Sequence, residues 1–205
     1  MTRPVEGDAG RESAALAQEV AAVQRRLTDV YRLELDLRAE RYLMEPERAR
    51  ELLREAGPRT GVLVLQEEEG ARCGLYVDPR DRHDPDAIVE ETSHLVCLAW
   101  HAAQGRPVSL LLLKLQSEVD RYVVARLEGR DSLRHFRQFA WAGWMDRPTR
   151  RRYETAHQAA HRYCLSLERR YRGRSPDAAA LLSELRCYYR ASPERKLRAG
   201  ERPPR

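Results

Sequence analysis

The sequence predicts an α+β fold: one mostly helical domain that contains a small antiparallel β-hairpin. Most of the chain places apolar residues at the three- and four-residue spacing of amphipathic helices, whereas residues 61–66 and 74–77 are short apolar segments that flank a turn with Gly70. With 205 residues, of which 42% are apolar and 34% charged, the chain can bury one core. We therefore expect a single domain over residues 12–192.

The chain before the hairpin predicts two helices and one strand. Residues 1–11 are expected to be a disordered N-terminal segment, and residues 12–29 have helical spacing. In residues 31–38 leucines alternate with charged residues, which favours a half-buried strand, although a helix can also be drawn through them. Residues 46–56 begin with proline and end before Gly57, which is typical of a short helix.

The segment 84–129, which directly follows the hairpin, predicts two helices joined by a short turn. Asp84 is a favourable N-cap, and Pro85 suits the first helical position because its missing N–H costs nothing there. Gly105 is expected to end the first helix and Gly129 the second.

The chain stays helical after this pair. We expect one helix at residues 132–141, with Trp141 and Trp144 packed under the following turn, and another helix after Pro148. The last helix begins at the sequence Ser-Pro-Asp and ends near Ser192. Residues 193–205 are expected to form a basic C-terminal tail.

Composition limits the classes of function. The net charge of +5 is modest, and no stacking motif accompanies the basic residues, so nucleic-acid binding is not expected. The apolar runs are too short to span a membrane, and the N-terminus lacks the apolar core of a signal peptide. The four cysteines are scattered and form no C-x-x-C pair. These features predict a cytoplasmic protein.

The first helix of the 84–129 pair is apolar around most of its circumference, apart from one narrow stripe. Glu90, His94 and His101 share that stripe, and Glu91 lies at its edge. A solvated face is the ordinary explanation for polar residues on a helix, but this stripe is narrow for an exposed face. We therefore treat its residues as a candidate site.

Glu118 on the second helix strengthens this hypothesis. Its helical neighbours are apolar or aromatic, so the carboxylate is expected inside the buried face, where it needs a cation, a metal ion or a hydrogen-bond network. Glu118 and His94 both lie roughly three turns from the connecting turn, so an antiparallel pair would bring them to the same height. A hydrogen-bonded pair and a shared metal ion both remain open.

Three sequence segments carry a resemblance to a known family. The strand GLYVDPRD, the helix motif E-E-T-S-H and the following E-V-D-R-Y resemble the core of zincin metallopeptidases of the ImmA/IrrE type, over residues 61–128. The resemblance implies a peptide or protein substrate, Glu91 as general base, and His94 and Glu118 as metal ligands. Glu90 stands where the family has the first histidine of H-E-x-x-H.

This departure changes the expected metal chemistry. Glu90, His94 and Glu118 would form a site for one divalent ion, and two carboxylates with one imidazole shift the preference from zinc toward manganese or iron. The bound water would also be less acidic, which disfavours peptide hydrolysis. His157, on the helix after Pro148, is a candidate additional ligand, although a hydrogen-bonded core histidine is the commoner role.

Two alternatives stay open beside the metallopeptidase hypothesis. Glu91-x-x-His94 and Glu154-x-x-His157, together with Glu118, resemble the ligand set of ferritin-like di-metal bundles, in which a fourth carboxylate would come from Glu34, Glu40 or Glu45. In the other alternative, Glu90, His94 and Glu118 form a structural network that fixes two helices, and a basic surface binds a partner. The sequence specifies neither the substrate nor the oligomeric state.

Overall fold

The computed structural model describes residues 6–53, 59–67, 70–138, 146–171 and 177–201. The helices and strands are, in chain order, α1 (Glu6–Tyr31), α2 (Pro46–Leu52), β1 (Gly61–Glu67), β2 (Gly70–Tyr76), α3 (Pro85–Ala103), α4 (Leu110–Leu127), α5 (Arg134–Arg137), α6 (Arg147–Arg170), α7 (Ala178–Tyr189) and α8 (Pro193–Arg198). A 3₁₀ turn at Ala39–Tyr42 precedes α2. The predicted class, a mostly helical α+β domain with a small antiparallel sheet, is confirmed.

The hairpin pairs β1 with β2 in antiparallel register, from Gly61 opposite Tyr76 to Glu67 opposite Gly70. The second strand begins four residues earlier than predicted, so Gly70 belongs to the ladder and not to the turn. The connecting residues 68–69 lie outside the described part of the chain.

The predicted pair of helices over residues 84–129 is confirmed. The Asp84 side chain caps α3 by accepting a hydrogen bond from the amide of Asp86. Gly105, with φ of +60°, and Gly129, with φ of +68°, follow the ends of α3 and α4 in the left-handed conformation that favours glycine.

Helix α4 lies at the centre of the core because it packs against α1, α3 and α6. As a result it is buried on almost every side, and its polar residues at positions 114, 116, 117, 118 and 120 are buried together with its apolar ones. The largest fully buried apolar and aromatic side chains are Tyr31, Tyr76, Tyr122, Tyr163, Tyr189, Leu27, Leu75, Ile88, Leu95, Leu115 and Leu167.

Residues 31–38 do not form the predicted strand. Leu33 and Leu37 are buried and the charged residues between them are exposed, so the alternation is correct as a burial pattern. However, no strand in the described part of the chain pairs with this segment. The side chain of Gln24 bonds the end of the segment instead: Nε2 donates to the carbonyl of Leu37, and Oε1 accepts from the amide of Ala39 just beyond it.

Both ends of the domain extend beyond the predicted limits. Helix α1 begins at Glu6, so residues 6–11 are helical and not disordered, while residues 1–5 lie outside the described chain. The predicted basic tail also contains a helix, α8, because Ser192 caps it and Pro193 occupies its first position. The Lys196 side chain of α8 is 1% exposed, so this part of the tail is packed against the core.

Two predicted helices are shorter than expected, and one aromatic prediction lies outside the described residues. Helix α2 ends at Leu52, and the helix predicted at 132–141 is the single turn α5. Trp141 and Trp144 lie in the segment 139–145, which the structure does not describe.

None of the described helices is long and apolar enough to cross a membrane.

Candidate functional site: a buried charge cluster

Helices α3 and α4 bring four charged side chains together at their interface. Glu90 comes from α3, and Lys114, Glu118 and Arg121 come from one face of α4, where residues four and three apart are neighbours. We call these four residues the charge cluster. Glu118 is 0% exposed and Lys114 is 5% exposed, so the cluster is largely removed from water.

The ammonium group of Lys114 lies between the two carboxylates. Its Nζ atom donates a hydrogen bond to Oε1 of Glu90 over 2.5 Å and lies 3.0 Å from Oε1 of Glu118. A buried carboxylate is costly unless a cation compensates it. Lys114 supplies that cation to both acids.

Arg121 completes the charge balance. Its Nη1 atom lies 3.1 Å from Oε2 of Glu90 and 3.9 Å from Oε2 of Glu118, and its Nη2 atom lies 3.8 Å from Asp86. The cluster therefore contains two carboxylates and two permanent cations.

Two histidines approach Glu118 from other helices. Nε2 of His135 on α5 lies 3.3 Å from Oε2 of Glu118 and 3.1 Å from its main-chain carbonyl, and Nδ1 of His157 on α6 lies 3.6 Å from Oε1. None of the contacts to the carboxylate from the described residues is aligned as a hydrogen bond. Electrostatic attraction, more than aligned hydrogen bonds, therefore holds the Glu118 carboxylate in place.

The pKa shifts agree with this arrangement. Burial alone would raise the pKa of Glu118, but Lys114, together with His135 and His157, outweighs burial and holds that pKa well below its usual range. Burial alone would likewise lower the pKa of Lys114, but the two carboxylates raise it above its ordinary value. The acids are thus ionised and the lysine is protonated at neutral pH.

Glu91 and His94, the predicted base and ligand, form a pair of their own. Nδ1 of His94 lies 3.0 Å from Oε2 of Glu91, and both side chains are mostly buried. Burial would lower the pKa of His94, but the Glu91 carboxylate outweighs it and raises that pKa. The buried Nε2 atom of His94 has no hydrogen-bond partner among the described residues.

These positions do not fit the metal ion that the zincin resemblance implies. A three-ligand site needs side-chain atoms that converge on one point about 2 Å from each of them. Glu90 and Glu118 converge instead on the ammonium of Lys114, and His94 turns toward Glu91. Among the residues that the structure describes, no group of three or more His, Cys, Asp or Glu side chains is arranged to hold a metal ion.

The ferritin-like alternative finds even less support in the geometry. Glu154 is exposed on the surface of α6, and Glu34 and Glu45 are also exposed. Glu40 lies 3.4 Å from the guanidinium of Arg38. Of the second E-x-x-H motif, the structure brings His157 to Glu118 and leaves its glutamate at the surface.

Lys114, Arg121 and His135 were not predicted as members of the site. One signal for Lys114 was present, because it interrupts the leucine run of residues 110–115 one turn before Glu118. A lysine inside an apolar stripe is as unusual as a glutamate there. Together, Lys114 and Glu118 compensate each other's charge. No comparable signal marks His135, which reaches Glu118 only through the tertiary fold.

A second polar network lies beside the cluster, on the side of α4 that carries Asp120. This buried carboxylate accepts hydrogen bonds from Tyr31, Ser93 and Gln116 over 2.5–2.7 Å. The Oε1 atom of Gln116 accepts a hydrogen bond from Nζ of Lys196 over 2.6 Å. The network therefore ties α1, α3 and α8 to α4.

Comparison with protein-family models, with curated proteins and with solved structures finds no match to this chain.

Proposed function

We propose that this chain is a non-catalytic interaction protein, in which the charge cluster fixes α3 against α4 and a basic surface binds an anionic partner. The position of Lys114 between Glu90 and Glu118 carries the proposal. Because the two acids already have a cation, neither is available as a metal ligand or as a general base. The cluster then acts as a structural element that joins two central helices.

The charge of the chain supports an anionic partner. The chain has 37 lysine and arginine residues against 32 aspartate and glutamate residues. Basic surfaces attract anionic partners and speed their association. All four cysteines are free thiols in the structure, which is consistent with the reducing environment of the cytoplasm, where we place the protein in this proposal.

Metal-dependent peptide hydrolysis is the second candidate, because the buried Nε2 atom of His94 has no hydrogen-bond partner among the described residues and is a nitrogen that can bind a metal ion. In that mechanism, Glu91 is the base and Glu90, His94 and Glu118 hold a zinc, manganese or iron ion. The candidate requires the Lys114 ammonium to leave both carboxylates.

Two measurements on the same protein separate these candidates. The first is fluorescence anisotropy with labelled polyanions, a short poly-L-glutamate and a single-stranded oligonucleotide of equal charge, at low and high salt. The second is cleavage of unfolded casein with added zinc or manganese. We expect salt-sensitive binding of a polyanion, no cleavage, and the same behaviour in Glu91→Gln.

Cleavage of casein that is lost in Glu91→Gln would establish the hydrolase instead. Failure to bind either polyanion at low salt would overturn the proposed interaction function.

A further inference from the structure

A groove opens between the first turns of α4 and α6. Its volume is about 820 Å³, large enough to hold several side chains of a partner. The described residues that line it are Leu111, Arg147, Pro148, Arg150, Arg151, Arg152, Glu154 and Thr155.

The groove carries an excess of positive charge. Four of the lining residues are arginines, and the acidic lining residue among those described is Glu154. Arg147 and Arg151 lie four residues apart on one face of α6, are exposed, and form no ion pair within the described part of the chain. In addition, the N-termini of two long helices meet here, and the helix dipole is positive at that end.

A second groove, at the other end of α6, shows that the number of arginines alone does not decide whether a groove can bind an anionic partner. It is also lined by several arginines, but Arg126 lies 2.6 Å from Glu168 and Arg130 lies 2.6 Å from Glu128. Arg137 is paired with Asp131. In the first groove, by contrast, Arg147 and Arg151 form no ion pair with any residue that the structure describes.

The remaining lining of the first groove favours a peptide over a nucleic acid. Leu111 and Pro148 provide apolar surface, and the adjoining Leu110 is 61% exposed. The described lining residues include no aromatic side chain on which bases would stack. Arginine pairs with carboxylates and with phosphates alike through two parallel N–H···O bonds, so the apolar surface and the absence of a stacking ring among the described lining residues decide for the peptide.

We propose that this groove binds an acidic segment of a partner protein, with carboxylates on Arg147 and Arg151 and an apolar side chain against Leu111. The inference rests on the proposed interaction function and adds to it the binding surface and the chemistry of the partner.

The test compares two charge-reversal variants of the full chain. Arg147→Glu/Arg151→Glu alters the groove, whereas Arg11→Glu/Arg25→Glu makes the same change of net charge at exposed positions on α1. The probes are the labelled poly-L-glutamate and the single-stranded oligonucleotide, measured by anisotropy. We expect the groove variant to bind poly-L-glutamate at least about tenfold more weakly than the wild type, and the α1 variant to lose much less.

Equal losses in the two variants would overturn the groove as the site and leave the proposed interaction function standing on another surface. Tighter binding of the oligonucleotide than of poly-L-glutamate, lost in the groove variant, would overturn the acidic peptide as partner. Absence of binding to both probes by the wild type would overturn the interaction function itself.

Discussion

Replacing Lys114 with methionine should lower the free energy of unfolding by about 3–5 kcal/mol at pH 7, because removal of one partner leaves buried charge without compensation. Among the described residues, Glu118 would retain Arg121 at 3.9 Å and the two imidazoles, and Glu90 would lose its 2.5 Å hydrogen bond. Urea denaturation followed by circular dichroism measures the loss.

Lys196→Met is the matched control for this experiment. Lys196 is as buried as Lys114, but its hydrogen bond goes to the neutral amide of Gln116, and its Nζ atom lies 5.2 Å from the ring centroids of Tyr188 and Tyr189. We expect this variant to lose much less stability at pH 7. Equal losses in the two variants would contradict the assignment of Lys114 as the counter-ion of the cluster.

The stability contributed by Lys196 should depend strongly on pH. Burial lowers its pKa from an ordinary value of 10.5 to about 8, although Cys97 and Asp120 oppose the shift. Between these two pH values the unfolded chain binds the proton and the folded chain releases it, so stability rises as pH rises through this window. The difference in pKa corresponds to about 3 kcal/mol.

To isolate this effect, the free energy of unfolding of Lys196→Met is subtracted from that of the wild type, both measured by urea denaturation from pH 7 to 10.5. The other titrating groups are common to both proteins, so their contributions cancel. We expect the difference to increase by about 3 kcal/mol in favour of the wild type. A difference that stays constant across this range would show that Lys196 titrates normally and is not buried as a cation.

The central helical pair and the burial of Glu118 could be predicted because local rules decide both. Asp84, Gly105 and Gly129 mark helix ends by their own chemistry, and the structure places each of them at its predicted helix end. Glu118 was predicted to be buried because its helical neighbours are apolar, and it is 0% exposed.

The partners of Glu118 depend on tertiary packing, which explains why they were missed. His135 lies on the single turn α5, and only the packing of that turn against α4 brings it within 3.3 Å of the carboxylate. The zincin resemblance implies histidine and glutamate ligands and gives Lys114 no role.

The errors at residues 31–38 and in the C-terminal tail have a similar origin. Alternating burial requires only one buried and one exposed side, whereas a strand also requires a partner for its main chain, and here Gln24 bonds that main chain instead. In the tail, Lys196 belongs to the segment predicted as basic tail, although its ammonium group lies between α4 and the tyrosines of α7.

The metal content of the purified protein tests the central claim most directly, namely that Lys114 takes the position of a metal ion in the charge cluster. The protein should be prepared without a histidine tag and compared with His94→Ala by elemental analysis. We expect far less than one zinc, manganese or iron ion per chain in both proteins. About one ion per wild-type chain, lost in His94→Ala, would contradict the structural role of the cluster and favour the metal-dependent hydrolase.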